Sequence, residues 1–160
     1  MDIKVHVEIP LNSKVKYEIE DNKLNVDRVL FTAMHYPGNY GYIPNTLADD
    51  GDAIDVLIIN DVPFYPNSFC KCKVLGMLIT EDESGIDQKV IALPSSKIDR
   101  QYDDINDISD VNENTLKVIK DFFENYKNND PDKWIKCGDY KSKEETIEFI
   151  KKNSNRVNYN

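Results

Sequence analysis

A chain of 160 residues with 40% hydrophobic side chains is long enough to bury a core and reads as one domain, residues 1–160. Its formal charge of −9 argues against nucleic acid or an anionic membrane as a partner, while a local basic pocket or metal ions can still admit an anionic substrate. No apolar run reaches membrane-spanning length, the N-terminus has no signal-peptide pattern, and three cysteines without zinc spacing fit a reducing cytoplasm.

The first hundred residues read as β. Val5, Val7 and Ile9 alternate with His6 and Glu8 in a half-buried strand that stops at Pro10. From Val15 to Ile19 the apolar residues face one way, and Lys16 and Glu18 share the other face. Asp21-Asn22 signals a hairpin turn into a return strand from Leu24 to Leu30. Arg28 shares parity with Leu24 and Val26, so this strand must bend or Arg28 must sit at its end. His35 to Tyr42 holds three tyrosines among turn formers, either a loop pinned by aromatic packing or a pocket lining whose phenols donate to an anion.

Next come four carboxylates in seven residues, Asp49-Asp50-Gly51-Asp52-Ala53-Ile54-Asp55, ahead of the apolar strand Val56 to Ile59. Like charges this close need a cation or full solvation, and hard divalent cations take oxygen ligands. The plainer reading is an acidic surface turn. An EF-hand is excluded: counted from Asp50, the fifth position is Ile54 and the required glycine at the sixth is Asp55. Phe69 to Leu78 is a strand whose Cys70 and Cys72 share one face, poor geometry for a disulfide. Asp82 to Lys89 is a polar, hairpin-like turn opening the strand Lys89 to Leu93.

The remainder turns helical. Asp110-x-x-Glu113 resembles a capping box before Leu116, Ile119, Phe122, Phe123 and Tyr126. Tyr126 and Lys127 at that helix's end could reach a phosphate, although a helix C-terminus attracts lysine anyway. Trp134 reads as a packing anchor on a late strand. Ser142-x-x-Glu145 caps a second helix through Ile150, ahead of a polar tail from Asn153. His6 and His35 read as incidental. Uneven strands followed by two helices suggest a small barrel with helices on one side.

Jointly these clusters supply carboxylates for several Mg2+ ions, phenol donors, and the cations Lys16, Arg28, Lys89 and Lys127. That inventory suits metal-assisted phosphoryl chemistry. A phosphatase acting on a nucleotide or sugar phosphate would need a pocket for an organic group, and none is evident. A single-strand-binding module would need a basic groove, which the charge opposes.

The motifs then stand in a recognisable order: Val7-Glu8-Ile9-Pro10, Lys16-Tyr17-Glu18-Ile19, Val26-Asp27-Arg28, Thr32-Ala33-Met34 with Tyr36-Pro37, Asn39-Tyr40-Gly41-Tyr42-Ile43, Asp50-Gly51-Asp52-x-x-Asp55, Asp82 to Lys89, and Phe122-Phe123-Glu124-x-Tyr126-Lys127. From about Val7 to Lys152 the chain resembles the family I soluble inorganic pyrophosphatases of the compact prokaryotic type. The resemblance implies an α+β, mainly β fold: an OB-like five-stranded barrel with two flanking α-helices. It implies Mg2+-dependent hydrolysis of pyrophosphate to two phosphates, and an oligomer, a hexamer by preference.

By position, Asp50, Asp55, Asp82 and Asp87 match metal ligands, with Asp55 and Asp87 as bridges. Asp52 matches the carboxylate that takes a proton from the attacking water. Lys16, Arg28, Tyr40, Lys89, Tyr126 and Lys127 match substrate-binding groups. Glu8 and Glu18 match carboxylates acting mostly through a metal's water, Glu18 being counted with the metal set and Glu8 with Tyr36 in support. One departure is Ala53, where the family usually has proline, which bears on loop rigidity.

Overall fold

A computed structural model describes residues 1–157, with side chains through Ser154; the last part of the polar tail, residues 158–160, lies outside the described residues. The strands are β1 (Asp2–Ile9), β2 (Val15–Glu20), β3 (Lys23–Val29), β4 (Asn39–Tyr42), β5 (Asp55–Ile58), β6 (Phe69–Asp82), β7 (Gly85–Pro94) and β8 (Ile135–Lys141). The helices are α1 (Glu113–Asn125) and α2 (Lys143–Val157).

The order β1-β4-β5-β7-β6 closes on itself because β6 also pairs with β1, Ile3 opposite Cys72 and Val5 opposite Cys70. The result is an OB-like five-stranded barrel, with β8 added to the outer side of β6 and β2–β3 standing apart as a two-stranded sheet. Within the ring only β5 and β7 run parallel, and that pairing sets Asp55 directly beside Lys89.

The apolar run of β5 is buried on both faces, as a central parallel strand requires. Val56 and Ile58 join one apolar cluster with Val90, Ala92 and α2 residue Ile150. Leu57 joins the other with Ile91, Leu93 and α1 residues Ile119, Phe122 and Phe123. The two helices therefore serve different clusters, which corrects the expectation that both pack on one side. Cys70 and Cys72 point into the α2 cluster as free thiols, Sγ atoms 3.7 Å apart.

Several sequence expectations change on contact with the fold. Asn39 to Tyr42 is a strand, β4, rather than a loop. A Cβ on Gly41 would strike the His6 carbonyl of β1, so only glycine lets these strands approach. The α1 cap is Asn112, whose side chain accepts from the Asn114 N–H at 2.8 Å. Asp110 instead ends a preceding 3-10 turn, where it accepts from the N–H groups of Asn106 and Asp107. Ser142 does cap α2, its Oγ accepting from Glu145 N–H at 3.2 Å.

That helix continues past Asn153, and the side chains of Asn153 and Ser154 fold back to donate to the carbonyls of Phe149 and Ile150. Trp134 is no packing anchor: it is 42% exposed, with the Lys136 ammonium 5.4 Å from its ring. His6 is part of a network, stacked on Phe69 and hydrogen-bonded to Asn67 and Tyr42. Among the described residues no helix is long and apolar enough to cross a membrane.

Candidate active site

Beside the barrel mouth lies a cleft of about 560 Å3. β1 contributes Glu8, the β2–β3 hairpin Lys16 and Glu18, and β4 Tyr40, beside Tyr36 from the preceding segment. Asp50 and Asp52 come from the acidic loop, Asp55 from the start of β5, Asp82 from the end of β6, and Asp87 and Lys89 from β7. Tyr126 and Lys127 complete the lining where α1 ends. Of the residues that the resemblance matches to a role, only Arg28 is not brought into this lining.

The parity problem of Arg28 is settled by a β-bulge. Lys16 pairs with Arg28 and Tyr17 with Val26, which leaves Asp27 as the extra residue. The bulge inverts the alternation, so Arg28 stands beside Lys16 instead of with Leu24 and Val26.

Lys89 is the hub. Its ammonium is 8% exposed as a residue and donates to Asp55 at 2.9 Å, to Asp87 at 2.6 Å and to the Tyr40 hydroxyl at 2.8 Å. Burial works against the charge, but Asp55, Tyr40 and Asp87 outweigh it and hold the Lys89 pKa well above its ordinary value. Burial also raises the Tyr40 and Tyr126 hydroxyls, so both stay protonated near neutral pH. Because Tyr40 accepts from Lys89, its own proton is free to donate. Tyr36, 1% exposed, fixes this aromatic wall through rings 5.2 Å from Tyr40 and 4.8 Å from Phe122.

The donor set is all oxygen and anionic, which suits a hard divalent cation. Asp55 and Asp87 already converge on one cation, the Lys89 ammonium. Asp50 and Asp82 line the same cleft but stand apart, and among the described residues no three carboxylate, histidine or cysteine side chains form one cluster. Burial raises the Asp50 pKa, with Asp52 and Asp55 adding repulsion. Added positive charge would relieve that strain.

Among the lining residues given no individual role from the sequence, three matter for the geometry. Tyr42 was within the tyrosine-rich segment, and its alternation with Tyr40 was the available signal. Thr80, whose hydroxyl donates to the Asp87 carbonyl at 2.7 Å, carried no local signal, and Phe123, 5.6 Å beneath the Lys89 ammonium, stood in the motif ahead of Tyr126 and Lys127 without a role of its own.

Nearly the whole chain is similar to known proteins. Residues 5–158 match the family described as inorganic pyrophosphatase. The chain belongs to the inorganic pyrophosphatase family. It is 49% identical over 151 residues to an inorganic pyrophosphatase of Nanoarchaeum equitans, covering 94% of each chain. It is 47% identical over 152 residues to one of Campylobacter jejuni, covering 94% of this chain and 88% of that one. The solved Helicobacter pylori inorganic pyrophosphatase superposes with a TM-score of 0.96 at 43% identity, covering 98% of this chain and 94% of that one.

Two site details of this pyrophosphatase-family chain follow from the contacts. Ala53 does not leave the acidic loop slack. Ala48 N–H donates to the Asp52 carbonyl at 2.8 Å, Gly51 N–H to Ala48 at 3.1 Å, and Ile54 N–H to the Thr46 hydroxyl at 3.0 Å. Gly51 supplies the positive φ of 88° that the turn needs.

Glu8 is the second detail. Burial, with Asp55 and Glu18 nearby, raises its pKa to about 7, although the Ile19 N–H and Lys16 pull it down. A carboxyl raised above its unfolded value stabilises the fold fully below pH 4.5 and loses that contribution as pH rises toward about 7. Glu8→Gln keeps an oxygen for Ile19 and cannot ionise. In metal-free buffer at pH 8 it should melt roughly 3 °C above the parent, after discounting the shift to about 1 kcal/mol for solvent screening. At pH 4 the two proteins should melt together. Calorimetry across this range checks it, and a parent that is equally stable at both pH values relative to the variant would refute the assignment.

Proposed function

We propose that this cleft hydrolyses inorganic pyrophosphate to two orthophosphates in a Mg2+-dependent reaction. Family membership makes the chain an inorganic diphosphatase; the metal and the residue roles are the proposal. The single observation that carries it is the lining of one cleft by an all-oxygen acidic set opposite Lys16, Lys89, Lys127 and two protonated tyrosines. Such a site can hold a multiply charged anion only together with added cations.

Asp50, Asp55, Asp82, Asp87 and Glu18 would hold Mg2+, which when bound screens the substrate's charge and lowers the pKa of a water from about 16 toward about 7. Asp52, exposed at the tip of the acidic loop, accepts the attacking water's proton on its carboxylate. Lys16 and Lys127 bind phosphoryl oxygens from the cleft lining, Arg28 joins them from outside it as the cross-strand partner of Lys16, and Lys89 offsets negative charge developing on the leaving phosphate. Tyr40 and Tyr126 donate their hydroxyls to the same oxygens. Glu8 and Tyr36 hold Ile19 and the aromatic wall in place.

The match over residues 5–158 supports reading 1–160 as a single domain. We further propose a cytoplasmic enzyme that works as a homo-oligomer, a hexamer by preference, with pyrophosphate and phosphate as its small-molecule partners.

Phosphate release is the test. Purified protein should release phosphate from pyrophosphate with Mg2+, stop when EDTA is added in excess, and release little from nucleotide or sugar phosphates. Release that is indifferent to EDTA would remove the metal from the proposal. Faster release from an organic phosphate would replace the substrate.

A further inference from the structure

Arg28 does not line the cleft; its Nη1 donates to Asp130 Oδ2 at 3.1 Å, from side chains 32% and 22% exposed. Asp130 lies in the turn after α1, where its N–H donates to the Lys127 carbonyl at 2.9 Å. It is therefore built into the tight turn that carries Lys127 into the cleft. Beside it, Asn129 Nδ2 donates to the Phe31 carbonyl at 3.0 Å, a second tie to the chain just beyond β3. The β2–β3 hairpin is not part of the barrel sheet, so such ties decide where its cations stand.

Those cations repel. Arg28 is the direct cross-strand partner of Lys16, and like charges in that position destabilise the pair. Lys127 adds a third charge nearby. Burial, and then Lys89 and Arg28, hold its ammonium below the ordinary range despite Asp82. Lys16 and Arg28 each pair with one carboxylate, but the two carboxylates differ in what they restrain. Lys16 pairs with Asp27 at 3.2 Å, the bulge residue of the same hairpin, so that contact fixes Lys16 only relative to its own sheet. Arg28 pairs with a residue 102 positions further along the chain, so that contact fixes the hairpin relative to the Tyr126–Lys127 turn. The contact uses one guanidinium nitrogen and leaves the remaining donors for a phosphoryl oxygen.

We propose that Asp130 is a positioning residue for substrate binding. It holds Arg28 in place against Lys16 and Lys127 and clips the β2–β3 hairpin to the turn after α1, so that three cations meet pyrophosphate as one wall. A carboxylate beside an anion site also repels the anion, but the two carboxylates Asp27 and Asp130 among three cations leave the wall positive. The inference rests on Lys16, Arg28 and Lys127 binding the substrate as proposed above.

The experiment compares Asp130→Ala and Asp130→Asn with the parent, each also in an Arg28→Gln background. With Mg2+ present, KM for pyrophosphate should rise roughly tenfold in Asp130→Ala, the scale of one charged hydrogen bond, with kcat within about twofold. Asp130→Asn, which keeps an acceptor but no charge, should fall between. In the Arg28→Gln background Asp130→Ala should raise KM no further. An unchanged or lower KM in Asp130→Ala overturns the proposal, as does an equal rise without Arg28. Calorimetric titration with methylenediphosphonate, which is not hydrolysed at its bridge, runs beside the kinetics. Absent turnover in the parent would defeat the functional reading, while the affinity of Asp130→Ala for this anion would still decide the role of Asp130.

Discussion

Asp52→Asn should cut phosphate release from pyrophosphate by roughly a hundred- to ten-thousand-fold, the range for a positioned proton acceptor. Its melting temperature should stay within roughly 2 °C of the parent, as an exposed substitution that leaves the backbone intact allows. The contacts through which residue 52 holds the loop are main-chain: its N–H donates to Asp50 Oδ1 at 3.0 Å and its carbonyl accepts from Ala48. Asparagine preserves both and lacks only the basic carboxylate. Mg2+ affinity should change little, because Asp52 is not in the proposed metal set. Steady-state release beside calorimetric Mg2+ titration checks both halves. Loss of activity with an equal loss of Mg2+ binding would move Asp52 into the metal set.

Lys89→Met carries the largest predicted effect on the molecule as a whole. Removing the ammonium leaves Asp55 and Asp87 facing each other in a partly buried site without a counter-charge. Breaking such a pair typically costs about 3–5 kcal/mol, and each kcal/mol moves the melting point of a chain this size by roughly 2–4 °C. A fall of roughly 10 °C is expected in EDTA. Millimolar Mg2+ should return part of that fall, since a divalent cation between the two carboxylates does electrostatically what the ammonium did. Activity at saturating Mg2+ should still drop by roughly a hundredfold or more, because the charge opposite the leaving oxygens is gone. Equal destabilisation with and without Mg2+ would mean that Lys89 acts through packing on Tyr40 and Phe123 alone.

Much of the site was legible in the sequence because its residues come in short, charged, ordered motifs whose chemistry is local. Asp50, Asp52 and Asp55 share a loop, and Asp82 and Asp87 flank a hairpin turn. What resisted reading depends on partners far along the chain. β4 looked like a loop because Pro37, Gly38 and Asn39 are turn formers. A Cβ at Gly38 would lie 2.5 Å from the Ile58 carbonyl, so that glycine serves packing against β5. The bulge at Asp27 could not be seen either, since period-two alternation assumes an unbroken ladder. Asp130 sits in a polar stretch, Asn128 to Lys133, whose composition says turn and nothing about Arg28. The α1 cap was misjudged because Asn112 and Asp110 are both good caps, and the 3-10 turn before the helix claims the aspartate.

The closed ring has a consequence for how the chain acquires activity. Residues 2–6 must find 69–73, and Asp55 must find Lys89, before the ring as a whole is complete. Closing such long loops is entropically costly and slow, whereas α1 and α2 can form from neighbours in sequence. Helical signal should thus return early in refolding and hydrolysis last. Until β5 and β7 pair, Asp55 and Asp87 do not meet around Lys89. Residual hydrolysis in a partly denatured sample should then follow the fraction of molecules in which β5 and β7 have paired.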